Sequence, residues 1–332
     1  MSAISGGPLG RARTGTGAAR RQRAGALAVL LAVVLAGGLV VLGTGGSWLA
    51  AVTAAGDERP LVVSSTTILA DLARQVGGER VRVYSLLSPG QDPHTYEPVP
   101  RDGLVLSHAD LVLLNGYGLD VWAERLLAGA EGEERAPSRR QERAPSRPGA
   151  GERVPRLVVR VAEEVPVEPL PWPGTPGHSD PHLWMDPTLV ILFVERLRDA
   201  LAHVDPQGTP EYARRAAELV EELRALDAWI RDRVATIPPD RRKLITTHDA
   251  YRYFGRRYGI EILDTVWGIS TEEEPSAAQL ARLFGRLRAF GLPAFVETTI
   301  NPKLMEELAA QAGVRIGGQL YADALGPPGS GA

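Results

Sequence analysis

EYARRAAELVEELRALDAWIRDRVATI, Glu211 to Ile237, is the longest helical run in the chain. Leu219, Leu223, Leu226 and Ile230 recur every three or four positions and form one apolar stripe, and Pro238-Pro239 ends the run. About 27 residues at 1.5 Å each make a rod of about 40 Å, the width of a whole small domain. A rod of that length in mid-chain predicts a strut joining two lobes.

Both sides of the strut alternate strand and helix. Upstream, Thr188–Val204 is helical, with Val190, Ile191, Val194, Leu197 and Leu201 on one face. Further back, RPLVVSSTTILADLARQVGGERVRVYSLLSPG (Arg59–Gly90) reads as strand Leu61–Ser65, helix Ile68–Val76 stopping at Gly77-Gly78, and strand Val81–Leu87. ADLVLLNG supplies a buried strand at Asp110–Asn115, and RLVVRVAEEV another. Downstream, KLITT, IEILDTV, PAFVET and VRIGGQLY read as strands and HDAYRYFGRRYG as a helix. EPSAAQLARLFGRLRAFG is a helix capped by Ser276 with Gln279 three residues on, and NPKLMEELAAQAG a helix with Asn301 as cap and Pro302 at its first position. This alternation predicts parallel α/β architecture in each lobe. The expected division is 57–187 for the first lobe, 188–237 for a helical region including the linker helix 211–237, and 238–332 for the second lobe. Glu131–Arg153 interrupts the first lobe. It carries ERAPSR twice and too little apolar material to offset ordering, so it reads as a disordered surface insertion.

The chain has 332 residues, 44% of them apolar, enough to bury real cores. The formal charge is −3, but five arginines fall within the first 23 residues and no other charge precedes Asp57, so the remainder carries −8. A mildly acidic body disfavours nucleic acid as a partner. Residues 24–56 carry no charge, and arginines followed by an apolar run and small residues read as an export signal or an uncleaved membrane anchor. Either places the body outside the cytoplasm. There is no cysteine, which excludes a cysteine-linked lipid, disulfides and thiolate ligands.

His94 and His248 each follow the carboxyl end of an apolar strand, and so does Asp323. That edge of a parallel sheet is where ligands bind. His94 and His182 precede the strut; His248 and Asp323 follow it. A cleft between lobes could therefore gather all four. Three imidazoles and a carboxylate suit Zn²⁺ or Mn²⁺. Residue by residue, a surface histidine and a turn-forming aspartate explain the same letters. His108 and His203 lie in helical runs, and His178 lies in a Gly/Pro-rich stretch. Asp186 reads as a cap for the helix at Thr188. Glu97 and Glu297 are open as partners of the histidines or as surface groups.

DPHTYEPVPRD, ADLVLLNGYGLD, DPHLWMDP, THDAYRYFGRRYGI, EPSAAQL, FVETTINPK and LYADALG follow one another in the order found in a known family. In these motifs the chain resembles the zinc/manganese type of ABC-transporter solute-binding proteins (cluster A-I, solute-binding family 9), from about Pro60 to Asp323. The resemblance implies two α/β lobes joined by a rigid helix, with metal in the cleft at His94, His182, His248 and Asp323. It implies a monomeric receptor that delivers Mn²⁺ or Zn²⁺ to a membrane permease and its cytoplasmic ATPase. The same fold is associated with surface adhesins, which leaves adhesion as an alternative. A zinc hydrolase is a weaker one, because four protein ligands would fill a tetrahedral shell and no HExxH is present. Zinc-specialised members often carry a histidine-rich loop; here the insertion has no histidine, which leans toward manganese. Members usually continue past the last aspartate into a closing helix, so the second lobe is expected to be short at its end.

Overall fold

The computed structural model describes residues 57–135, 156–327 and 329–330. The expected export segment, 1–56, lies outside them, as does most of the expected insertion. The helix that precedes the insertion continues through Arg135.

The first half is a parallel four-stranded sheet of order β2-β1-β3-β4, with β1 Leu61–Ser64, β2 Arg82–Ser85, β3 Leu111–Leu114 and β4 Leu157–Arg160. β1 and β3 lie in the middle and are buried along their whole length, which is why both read as unbroken apolar runs. Helices α1 (Thr67–Gly77), α2 (Pro100–Ser107) and α3 (Val121–Arg135) connect them. α4 (Pro187–Val204) and α5 (Thr209–Ala235) follow. One core joins Val62, Leu69, Leu111 and Val159 to Phe193, Leu197, Tyr212 and Leu219, so the first half of α5 belongs to this lobe's packing.

α5 is 27 residues long, as expected, but both its ends fall two positions earlier than the apolar stripe suggested. Farther along, Asp227 accepts hydrogen bonds from Arg257 Nε (2.8 Å) and Tyr258 Oη (3.0 Å) on α6 (Arg252–Tyr258). The rod is thereby rooted in both halves.

The second half keeps the parallel alternation as two separate ladders. β5 (Lys243–Thr246) pairs with β6 (Glu261–Thr265), and β7 (Ala294–Glu297) with β8 (Ile316–Leu320). α7 (Ala277–Phe290) opens with the Ser276–Gln279 capping box and ends at Gly291, whose φ of 62° suits glycine. α8 (Lys303–Ala312) starts one residue later than expected, with Pro302 in the cap position, and Asn301 Oδ1 accepts the Lys303 N–H. Ile245, Leu263, Leu283, Leu287, Val296 and Met305 form the second core. A small apolar seam of Ala250, Tyr251 and Ala322 meets Met185 from the first half. Among the described residues no helix is long and apolar enough to cross a membrane.

Candidate metal centre

The four candidates converge at the carboxyl ends of the parallel strands. His94 follows β2, His248 follows β5, Asp323 follows β8, and His182 sits on the turn before α4. All four are buried, and one ligand atom from each lies within 4.8 Å of the others. His182 Nε2 is 3.3 Å from His94 Nε2 and 3.4 Å from His248 Nε2. Asp323 oxygens lie 3.2 Å from His248 Nε2, 3.5 Å from His182 Nε2 and 3.9 Å from His94 Nε2. A tetrahedral ion with bonds of about 2.0–2.1 Å separates its ligand atoms by about 3.3–3.4 Å. The observed spacings bracket that value.

Two of the three imidazoles are aimed by carboxylates behind them. His182 Nδ1 donates to Asp180 Oδ1 at 2.8 Å, and the His182 backbone N–H donates to the same oxygen at 3.0 Å. Glu297, the last residue of β7, accepts the His248 backbone N–H at 2.9 Å and a short bond from its Nδ1. A proton spent on Nδ1 leaves the Nε2 lone pair pointing inward, as a metal requires. Neither oxygen of Asp323, a 1% exposed carboxylate, accepts a hydrogen bond. A buried carboxylate that accepts no hydrogen bond and has three imidazole nitrogens within 3.9 Å is costly unless positive charge joins them, as an ion or as protons on the rings.

The electrostatics agree. Burial pushes the His94 pKa down to about 3. Burial also opposes charge on His182, but Asp180 and Asp323 outweigh it and push its pKa up to about 9. At His248 the same opposition is overcome by Asp323 and Glu297, and its pKa lies well above the ordinary value. Burial would raise Asp323, yet His248 and His182 hold it well below the usual carboxylate range. Without an ion, protons on His182 and His248 supply the positive charge that the site demands.

Other residues support the site. Asp180, in sequence an ordinary Asp-Pro turn former, clamps His182 and is itself held by Arg252 Nη1 at 3.3 Å, while Tyr253 Oη donates to its carbonyl. Trp184 lies edge-on to His182 and donates its indole N–H to Ala322 O at 2.8 Å, tying the His182 turn to the Asp323 segment. The signal was in the letters: Asp-Pro-His occurs twice, at 92–94 and 180–182, and each aspartate Oδ1 accepts the histidine backbone N–H two residues on. Asp186 caps α4 through Thr188, as expected. Glu297 is the carboxylate behind a histidine; Glu97 is exposed. His178 lies edge-on to Trp172, His108 bonds back to Leu104 O, and His203 is in the last turn of α4; none joins the cluster.

Residues 62–332 match the family model described as ZnuA, zinc-uptake complex component A, periplasmic. The chain belongs to this family. It is 35% identical over 273 residues to the manganese-binding lipoprotein MntA of Halalkalibacterium halodurans, covering 82% of each chain. It is 31% identical over 267 residues to the iron-binding protein YfeA of Yersinia pestis, covering 80% of this chain and 78% of that one. Among solved structures, the periplasmic zinc-binding protein TroA from Treponema pallidum superposes with a TM-score of 0.71 at 32% identity, over 82% of this chain and 92% of that one. The family consists of substrate-binding receptors of metal importers, so the chain is a receptor and not an enzyme; the hydrolase alternative falls and adhesion is not favoured.

Proposed function

We propose that this chain is the extracytoplasmic receptor of an ABC-type importer, capturing Mn²⁺ or Zn²⁺ at His94, His182, His248 and Asp323 and delivering it to a membrane permease driven by a cytoplasmic ATPase. The observation that carries the reading is the buried Asp323 carboxylate, without a hydrogen-bond partner and faced by three inward Nε2 atoms. With Asp180 and Glu297 behind the imidazoles, three carboxylates surround the position of one dication. Neutral nitrogen and carboxylate donors suit both metals, and affinity order favours Zn²⁺ when both are present. The receptor acts as a monomer, divided into lobes at 57–187 and 238–332 around the linker. Residues 1–56 direct export, as a cleaved signal or as a retained anchor. Several relatives are named as lipoproteins, but this chain has no cysteine to carry such a lipid.

The test is a thermal-unfolding titration of the metal-free full chain with Mn²⁺ and with Zn²⁺. Both ions raise Tm in proportion to the logarithm of their concentration, and His182→Ala loses the rise. A folded, metal-free protein whose Tm responds to neither ion refutes the assignment.

A further inference from the structure

The two Asp-Pro-His turns present their histidines in the same way but are anchored differently. In the second turn, Asp180 Oδ1 holds both the backbone and the ring of His182, and Arg252 Nη1 reaches Oδ2. In the first, Asp92 Oδ1 holds only the backbone N–H of His94, at 2.8 Å. No group among the described residues receives the His94 Nδ1 proton, whereas His182 and His248 each have a carboxylate there. The free oxygen of Asp92, Oδ2, crosses to the other lobe and accepts the hydroxyl of Thr271 at 2.6 Å. Thr271 lies on the loop between β6 and α7. Its two chain neighbours, Ser270 and Glu272, line a small cavity of about 50 Å³ together with His94, Leu119 and Trp172. His94 is the most exposed of the four candidates, at 8%, against 0% for His182 and His248 and 1% for Asp323. The cavity therefore reaches the site on the His94 side, and the Asp92–Thr271 bond joins the two lobes beside it.

We propose that Asp92 and Thr271 are positioning residues that form a latch between the lobes, beside this cavity, and set how long the ion is retained. The proposal rests on the metal-site reading above. The latch keeps the His94 turn seated against the opposite lobe. When it opens, His94 is the ligand that leaves first, because no carboxylate holds its ring, while His182 and His248 stay clamped. One group, Asp92, thus links the backbone of a ligand to the lobe facing it.

The experiment follows release of Mn²⁺ and Zn²⁺ from the full chain into excess chelator by stopped flow, for wild type, Thr271→Val and Thr271→Ser. Valine keeps the shape of threonine and removes the hydroxyl; serine keeps the hydroxyl. A hydrogen bond to a carboxylate corresponds to a change of about tenfold or more in rate. Thr271→Val therefore releases metal about tenfold faster and Thr271→Ser stays within about threefold of wild type, and a cooperative melt of each metal-free variant shows that it is folded. Asp92→Ala, with both bonds gone, releases at least as fast as Thr271→Val. Wild-type release rates in a folded Thr271→Val that still binds metal overturn the latch and leave the metal site standing. Failure of the wild type to bind either ion overturns the site reading and the latch with it.

Discussion

Glu297→Gln tests whether His248 is aimed for an ion. Glu297 is fully buried and serves both the backbone N–H of His248, at 2.9 Å, and its ring Nδ1. Glutamine fills the same space but has one acceptor oxygen instead of two. If that oxygen keeps the backbone N–H, an amide N–H₂ faces Nδ1, which must then become the acceptor. The ring proton moves to Nε2, the atom an ion needs. Losing such an orienting partner weakens metal binding by about 10–100-fold, or about 1.4–2.7 kcal/mol. At an ion concentration about 1,000 times the wild-type Kd, binding stabilises the wild type by about 4.1 kcal/mol and a tenfold weaker variant by about 2.7 kcal/mol. At roughly 2–4 °C per kcal/mol for a body of this size, the metal-induced rise in Tm shrinks by about 3–6 °C. Calorimetric titration gives the Kd, and thermal unfolding with and without metal gives the shift, each variant being referred to its own metal-free Tm. A folded variant with Kd within about twofold of wild type and an equal Tm rise refutes the role of Glu297 in aiming the ring.

Metal binding is also expected to release protons. With His182 pushed up to about 9 and His248 raised well above its usual value, both are protonated near pH 7 in the metal-free site, while His94, down at about 3, is not. An ion must displace the two bound protons, so affinity rises with pH until the raised pKa values are passed, and about two protons leave per ion near pH 7. Calorimetry in buffers of different ionisation enthalpy counts them; a count near zero contradicts protonated His182 and His248 in the metal-free site. Arg257→Ala, which strips Asp227 of its bidentate partner, costs about 1–3 kcal/mol in urea unfolding at pH 7. Arg257 holds the Asp227 carboxyl below its ordinary value, so this contribution is present above the unfolded-state pKa and is lost as pH falls through the lower folded-state one. The gap between variant and wild type therefore narrows in acid, and a gap independent of pH would speak against an ionic origin.

The framework was legible where periodicity is strong. The apolar stripe Leu219–Ile230 announced α5, and the runs at Leu61 and Leu111 announced the two central strands. Single residues at strand ends were legible too, because the carboxyl edge of a parallel sheet is a topological fact that strand order carries. Harder to read were the residues that support the site. Asp180 and Asp92 look like ordinary Asx-Pro turn formers, and their further bonds go to Arg252 and Thr271, 72 and 179 positions away. Nothing local in a sequence records such partners. The helix 248–259 was overestimated for a related reason. His248–Tyr251 has helical composition, yet Glu297 takes the His248 N–H and the chain turns until Arg252. A tertiary bond outweighed local propensity there.

The rod and the ligands divide the work between stiffness and movement. α5 packs Tyr212, Ala216, Leu219 and Val220 into the first core and is fixed to α6 through Asp227, so a wide swing of the lobes would have to break buried contacts at one end of the helix or bend it mid-length. No proline or other break lies between Glu211 and Ala235 to make bending cheap. The proposed ligands, by contrast, sit outside regular structure: His94, His248 and Asp323 lie in bends beyond strand ends, and His182 lies just before the short 3-10 turn that leads into α4. A metal bond of about 2 Å is lost when its donor moves by a distance of similar size, which a turn can supply without disturbing either core. Release then calls for a local displacement, and the turn held with fewest bonds is the one to move. The Asp180 carboxylate has two hydrogen bonds to its own turn, one of them to the His182 ring, and one to Arg252; Asp92 has one to its own turn and one across the cleft. In a frame this stiff, the proposed latch makes that difference in anchoring the one that sets which side of the ion opens.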